Sequence, residues 1–220
     1  IGSNAFQGSG LENLEIPEGV KEIGQTAFRD CASLKNVVLP GTLTSLGDYS
    51  FRGCTSITSI VIPSNVNSIG TQAFSGDTSL KAVVIQGESV TVGNNAFGGI
   101  EFPIIYSSSE IQIPANSATQ IVVAVTNGGI FASVPTNNTS LAAPIKNGSV
   151  FAGWYSDADF SGESINAIEQ VKGSKFSTYY AKWTESHYQE PGELNLGEMV
   201  VGELSSQSFE INLKEGVEGT

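Results

Sequence analysis

Phenylalanine recurs at positions 6, 28, 51, 74 and 97, at spacings of 22, 23, 23 and 23 residues. Each follows an apolar–glycine pair: Ile1-Gly2, Ile23-Gly24, Leu46-Gly47, Ile69-Gly70 and Val92-Gly93. After each of the first four comes an L-x-x-L-x-L stretch: Leu11/Leu14/Ile16, Leu34/Val37/Leu39, Ile57/Ile60/Ile62 and Leu80/Val83/Ile85. Pro17, Pro40 and Pro63 close three of these stretches, and Gln86 stands at the same place in the fourth. A sustained period of this kind restricts the fold to stacked repeats. The last two apolar residues of each stretch are two apart, so they share one face of a short strand. One coil of 23 residues cannot bury that face by itself. Stacking coils at the ~4.8 Å strand spacing buries it against the next coil.

The pattern predicts one short parallel strand per coil, near residues 13–16, 36–39, 59–62 and 82–85. Proline ends the first three strands without a lost ladder bond, because it has no N–H to donate. The repeated glycine supplies either an unusual backbone conformation or a close approach. The Ala-Phe pair is expected on a helical turn on the far side. Phe28, Phe51 and Phe74 should then be buried as an aromatic stack.

The motif Ile69-Gly70-x-x-Ala73-Phe74, followed by Leu80-x-x-Val83-x-Ile85, resembles the BspA-type, or Treponema pallidum-type, leucine-rich repeat. The resemblance covers residues 1 to about 100. It implies a bacterial or protist surface protein used in adhesion, and it names no ligand.

Cys31 and Cys54 lie three residues after their phenylalanines and hold one repeat position. The plain reading is a buried small hydrophobe. The alternative is a disulfide between adjacent coils, which a Cα separation near ~5 Å would permit. A stacked register keeps such side chains parallel rather than facing. Ser9 and Asp77 stand at the equivalent positions and also argue against a required bridge.

The period decays after Gly99. Phe102–Tyr106 takes the place of a fifth strand and is expected to cap the stack. Ser107-Ser108-Ser109 reads as a linker, and Ile111-Gln112-Ile113 as a short alternating strand. Ile121–Val125 reads as a buried strand, followed by a turn at Thr126-Asn127-Gly128-Gly129. Then come Pro144, Gly148, Phe151-Ala152-Gly153-Trp154-Tyr155, Asp157 and Tyr180-Ala181-Lys182-Trp183. Over residues 121–184 this order resembles the Listeria–Bacteroides repeat, the β-grasp-like module of the internalin B-repeat type. That resemblance implies a spacer or adhesion module of a secreted surface protein. Trp154 and Trp183 read as module core, since each buries a large area; the alternative is a carbohydrate-stacking surface. Residues 191–220 alternate like strands at Leu194/Leu196, Met199/Val201 and Phe209/Ile211/Leu213, and read as the front of an Ig-like domain.

The fold class is therefore mainly β: a leucine-rich-repeat solenoid over 1–106, a β-grasp-like module over 107–188 and the start of a further β domain over 189–220. The middle module is expected to fold independently. The chain opens inside a repeat, so it reads as a fragment.

Composition excludes several functions. The net charge is −12: residues 1–106 contribute 5 minus 9, residues 107–188 contribute 4 minus 6, and residues 189–220 contribute 1 minus 7. No basic patch exists to hold nucleic acid. No apolar run approaches the ~20 residues of a membrane helix, so no direct insertion is expected. The single histidine, His187, has no orienting partner of the kind a triad needs. No phosphate-binding loop or metal-ligand cluster is visible, so no cofactor, metal or enzymatic activity is expected.

The candidate site is the outer face of the strands. Residues flanking the inward pair point outward: Asn13 and Glu15, Asn36 and Val38, Ser59 and Val61, Ala82 and Val84. The second column reads Glu, Val, Val, Val. Valine suits a pleated surface in any case. An apolar stripe on a solenoid face also marks binding sites, which makes Asn36, Val38, Ser59, Val61, Ala82 and Val84 the candidate binding residues. A third reading packs the stripe against the second module. The expected function is an extracellular binding or adhesion protein for a host or microbial surface protein or glycan. The alternatives are a structural stalk and an accessory region of a larger surface enzyme.

Overall fold

The 23-residue period appears as physical coils in the computed structural model, which describes residues 1–114, 120–136, 138, 140–165 and 176–185. The expected strands are present as β1 (Asn13–Glu15), β3 (Asn36–Val38), β5 (Ser59–Ile62) and β7 (Ala82–Ile85). β1 pairs with β3 and β5 with β7, parallel and one period apart. β3 and β5 lie side by side without a ladder, so the sheet breaks between them.

Each coil carries two strands, not the single one expected. The second set is β2 (Glu22–Ile23), β4 (Ser45–Leu46), β6 (Ser68–Ile69) and β8 (Thr91–Val92), which form a four-stranded parallel sheet. Two-residue strands are too short to show an alternation. The apolar residue before each glycine is nevertheless their inward member: Ile23, Leu46, Ile69 and Val92 are buried.

The glycine that follows is required by close approach. A Cβ on Gly47 would lie 2.8 Å from the Gln25 nitrogen, and one on Gly70 or Gly93 would lie 2.5 Å from the Asp48 or Thr71 nitrogen. The obstacle is backbone of the preceding coil, which cannot rotate aside. Gly70→Ala should therefore destabilise the chain by roughly 1–3 kcal/mol, the usual cost of overpacking. A denaturant midpoint unchanged from that of the parent would contradict this contact.

The far side of each coil is not a helical turn. The residue two before each phenylalanine is left-handed: Asn4, Thr26, Tyr49, Gln72 and Asn95 have φ between 53° and 60°. A left-handed residue ends a right-handed helix, and here the N–H groups point along the stack instead. Phe28 N–H bonds the Ser50 carbonyl at 2.8 Å, and Phe51 N–H bonds the Ala73 carbonyl at 2.9 Å. The far side is thus a coil-to-coil hydrogen-bonded ladder. Inside it the rings of Phe6, Phe28, Phe51, Phe74 and Phe97 stack with centroids 5.2–5.7 Å apart and planes within 10°. Phe28, Phe51, Phe74 and Phe97 are fully buried. Cys31 and Cys54 are buried free thiols.

The stack continues past its expected cap. β9 (Ile104–Ser107) pairs parallel with β7 on one side and with β10 (Ile121–Val125) on the other. β12 (Phe176–Glu185) adds parallel to β10, and β11 (Ser149–Tyr155) closes the sheet antiparallel to β12. Solenoid and second module thus share one six-stranded sheet, in the order β11-β12-β10-β9-β7-β5. Ser107–Ser109 is not a free linker: Ser107 is the buried last residue of β9, opposite both Ile85 and Val125. Ile111 and Ile113 are buried and Gln112 exposed, so the alternation is real, but the segment pairs with no strand among the described residues. The chain divides into Ile1–Ser186 and His187–Thr220. The expected Ig-like start and His187 lie outside the described residues.

A second core forms on the outer face of this sheet. Ala82, Ile104, Tyr106, Val122 and Ala124 pack there against Leu141 and Trp154 of the second module. Trp154 donates its indole N–H to the Ala142 carbonyl at 3.3 Å, and the Tyr106 hydroxyl accepts the Ala142 N–H at 3.0 Å. Trp183 donates to the Thr126 carbonyl at 3.0 Å, across the predicted turn. A Cβ on Gly129 would meet the Trp183 ring at 2.5 Å, which explains the second glycine of that turn.

Candidate functional site

Two columns of side chains run across the outer face. By strand register and repeat period, the first reads Asn13, Asn36, Ser59, Ala82, Ile104 and Val122. The second reads Glu15, Val38, Val61, Val84, Tyr106 and Ala124. Both pass from polar or exposed at the first coils to apolar and buried at the last. Asn13 and Asn36 are exposed and pair with each other, the Asn36 amide donating to Asn13 Oδ1 at 2.6 Å.

The six candidate residues therefore divide. Asn36 and Val38 are exposed, Val38 at 57%. Ser59 and Val61 are half-buried. Ala82 and Val84 do not form an open outer surface: Ala82 is fully buried in the second core, and Val84 packs against it. The second module covers Ala82 completely and Val84 only in part: Val84 is half-buried and also lines the groove described next. The physical cause is Phe131, Leu141 and Trp154, which need an apolar floor and find it on β7, β9 and β10.

Where that cover stops, a groove of about 440 Å³ opens. Its floor is Val61, Val84 and Tyr106, and its wall is Ile130, Phe131 and Val134. Ile130 is 63% exposed, an unusual position for isoleucine beside an apolar recess. Glu88 stands at the rim. The volume falls in the range of ligand pockets, roughly 300–1,000 Å³. The arrangement suits insertion of apolar side chains. Ile130, Phe131 and Val134 are the groove residues that sequence reading missed. Their signal was an apolar cluster just after a Gly-Gly turn, where a solvated loop would be polar.

Among the described residues, no group of three or more His, Cys, Asp or Glu side chains is placed to hold a metal ion. No helix of the described residues is long and apolar enough to cross a membrane. Burial pushes the Tyr106 hydroxyl up to about 12, so it stays neutral at the groove floor.

The BspA type leucine-rich repeat region matches residues 1–120 in six copies. The chain belongs to this leucine-rich-repeat family. The six copies agree with a stack that continues past the fifth strand. The Listeria–Bacteroides repeat domain matches residues 117–182. Among solved structures, the T. pallidum leucine-rich repeat protein aligns with a TM-score of 0.46 at 24% identity, over 59% of this chain and 68% of that one. The pneumococcal vaccine antigen PcpA aligns with a TM-score of 0.46 at 22% identity, over 56% of this chain and 33% of that one. A leucine-rich cell surface protein of Faecalibacterium prausnitzii aligns with a TM-score of 0.35 at 22% identity, over 58% and 57%. No curated protein matches the chain.

Proposed function

We propose that this leucine-rich-repeat chain is a binding module of a secreted or cell-surface protein, and that it docks a protein partner on the uncovered part of the outer face. The observation that carries the reading is the continuity of exposed Val38 with half-buried Val61 and the apolar groove beyond it. An apolar recess rimmed by polar groups is the form a protein-recognition site takes. The groove favours an apolar side chain over a sugar, whose hydroxyls would find few polar partners on the valines.

Replacing Val38 and Val61 together by glutamate is the test. Val38 is exposed and Val61 half-buried, so the melting temperature should change little. Binding to immobilised host matrix proteins should fall at least roughly tenfold, as loss of an interface hot spot does. Unchanged binding with an unchanged fold would retire the face as the site. Loss of binding to a glycan panel alone would replace the protein partner by a carbohydrate.

One observation favours a second reading, a structural stalk. The sheet runs unbroken from β5 through the second module to β11, which joins the two family regions without a hinge. Unchanged binding in the double variant, together with loss of surface assembly in a deletion of residues 120–185, would favour that reading.

A further inference from the structure

The residue three after each phenylalanine forms an internal column: Ser9, Cys31, Cys54, Asp77 and Ile100. In this column the Cys31 thiol donates to the Phe6 carbonyl at 3.0 Å, and the Cys54 thiol donates to the Phe28 carbonyl at 3.1 Å. Each coil is thereby tied to the one before it. Asp77 takes the next place and is 0% exposed. Its Oδ1 accepts the Cys54 N–H at 2.8 Å, while Oδ2 is buried with no partner among the described residues. The same Cys54 N–H also reaches the Phe51 carbonyl, at 3.1 Å. The Asp77 carboxyl and the Phe51 carbonyl thus converge on one N–H. By the period, the Phe51 carbonyl corresponds to the acceptors that the two thiols use. An ionised carboxylate is acceptor-only, so it would hold two acceptors on one N–H and leave Oδ2 buried without a donor among the described residues. A carboxylic acid carries one donor and resolves the conflict.

We propose that Asp77 is held as the neutral acid and donates its proton to the Phe51 carbonyl, so that the joint between the third and fourth coils is tightened by acid and loosened when the proton is lost. The titratable neighbours are those of the same column and its flank. Cys54 faces Asp77 from the preceding coil, with Cys31 behind it. Asp30 lies against Gly53 and pairs with Arg29. The following coil presents Ile100, which is apolar and fully buried. No basic side chain bonds to Asp77 among the described residues. Burial pushes its carboxyl up to about 8, against the opposing pull of the Cys54 and Gly53 N–H groups. Burial likewise pushes the Cys54 thiol above its ordinary range, so it remains a donor.

The sign follows from linkage. The native value is raised above the ordinary 3.8, so the stability this group contributes is fully present below that value. It is lost as pH rises through about 8. One proton released gives about a tenfold change in the unfolding constant per pH unit within that window. Glu18 is held low by the Gly41 N–H, and Asp157 by its hydrogen bond with Asp159. Both act in the opposite direction, losing stability as pH falls, and both cancel in a ratio of variants.

The experiment is denaturant unfolding of the full chain at several pH values, comparing the parent with Asp77→Asn and with Asp77→Cys. The cysteine variant restores the donor the column uses elsewhere and reads the same difference if the asparagine variant does not fold. The ratio of parent to variant unfolding constants should climb about tenfold per unit between pH 5 and 7, and against the asparagine variant it should level off above about 8.5. A ratio independent of pH overturns the proposal. A direct reading is the carboxyl carbon shift of Asp77 in the native chain. A midpoint near 8 supports the neutral acid, and a midpoint below 5 overturns it.

Discussion

Phe51→Ala should cost this chain roughly 3–5 kcal/mol, the range for truncating a buried aromatic. Phe51 is fully buried and stacked on both faces, 5.2 Å from Phe28 and 5.6 Å from Phe74. Removing its ring deletes two aromatic contacts and leaves a cavity between coils that cannot close. The coils are held at their spacing by the strand ladders and by the N–H bonds from Phe28 to Ser50 and from Phe51 to Ala73. Phe6→Ala is the internal control. Phe6 is 43% exposed and stacks on one face only, so its loss should cost much less. Denaturant unfolding of both variants checks the comparison. Equal losses at the two positions would mean that the rings are not the interior of the stack.

Trp154→Ala should have a loss of similar size, roughly 3–5 kcal/mol, and its effect should spread into the solenoid. Trp154 belongs to the second module by sequence and is 2% exposed. Its ring sits 6.4 Å from Tyr106 of β9 and 5.6 Å from Phe151 of β11. It roofs the floor made by Ala82, Ile104 and Tyr106. Without it, amide exchange in β7 and β9 should accelerate, since local opening follows the loss of buried apolar contacts. A module that folds by itself, as its separate sequence pattern suggests, would behave otherwise: only β10, β11 and β12 would lose protection. Expressing residues 107–188 alone completes the comparison. A dispersed NMR spectrum from that piece would show that the shared sheet is a docking contact rather than a folding requirement.

Much of the solenoid was legible because its information is local and repeated. The interval between phenylalanines, the inward pair of each L-x-x-L-x-L stretch and the glycine at each close approach recur in every coil. A stack of coils places equal residues in equal surroundings. The left-handed turn at Asn4, Thr26, Tyr49, Gln72 and Asn95 was not legible, because four different residue types occupy its five positions. The backbone there is set by the coil-to-coil N–H ladder, not by side-chain preference. Asp77 was visible as an exception in the cysteine column, but its burial beside the Phe51 carbonyl needed the neighbouring coil in place.

The outer face shows the division most clearly. Val38, Val61 and Val84 are the same residue at the same place in three successive coils, so sequence alone assigns them one environment. The structure does not: Val38 is open to solvent, Val61 is half-buried at the floor of a groove, and Val84 shares that floor but also packs against the second core. What differs is a segment far along the chain, Phe131 to Trp154, lying over the last coils and not the first. The run from Asn13, Asn36 and Ser59 to Ala82, Ile104 and Val122 already carried that transition. Reading it required the register that joins β7 to β9 and β10, where the spacing drops from the repeat period. Periodicity determined which side chains face inward, because each coil must bury its strand against the next. Which outward side chains meet water was decided by tertiary structure, because that depends on what a distant part of the chain covers.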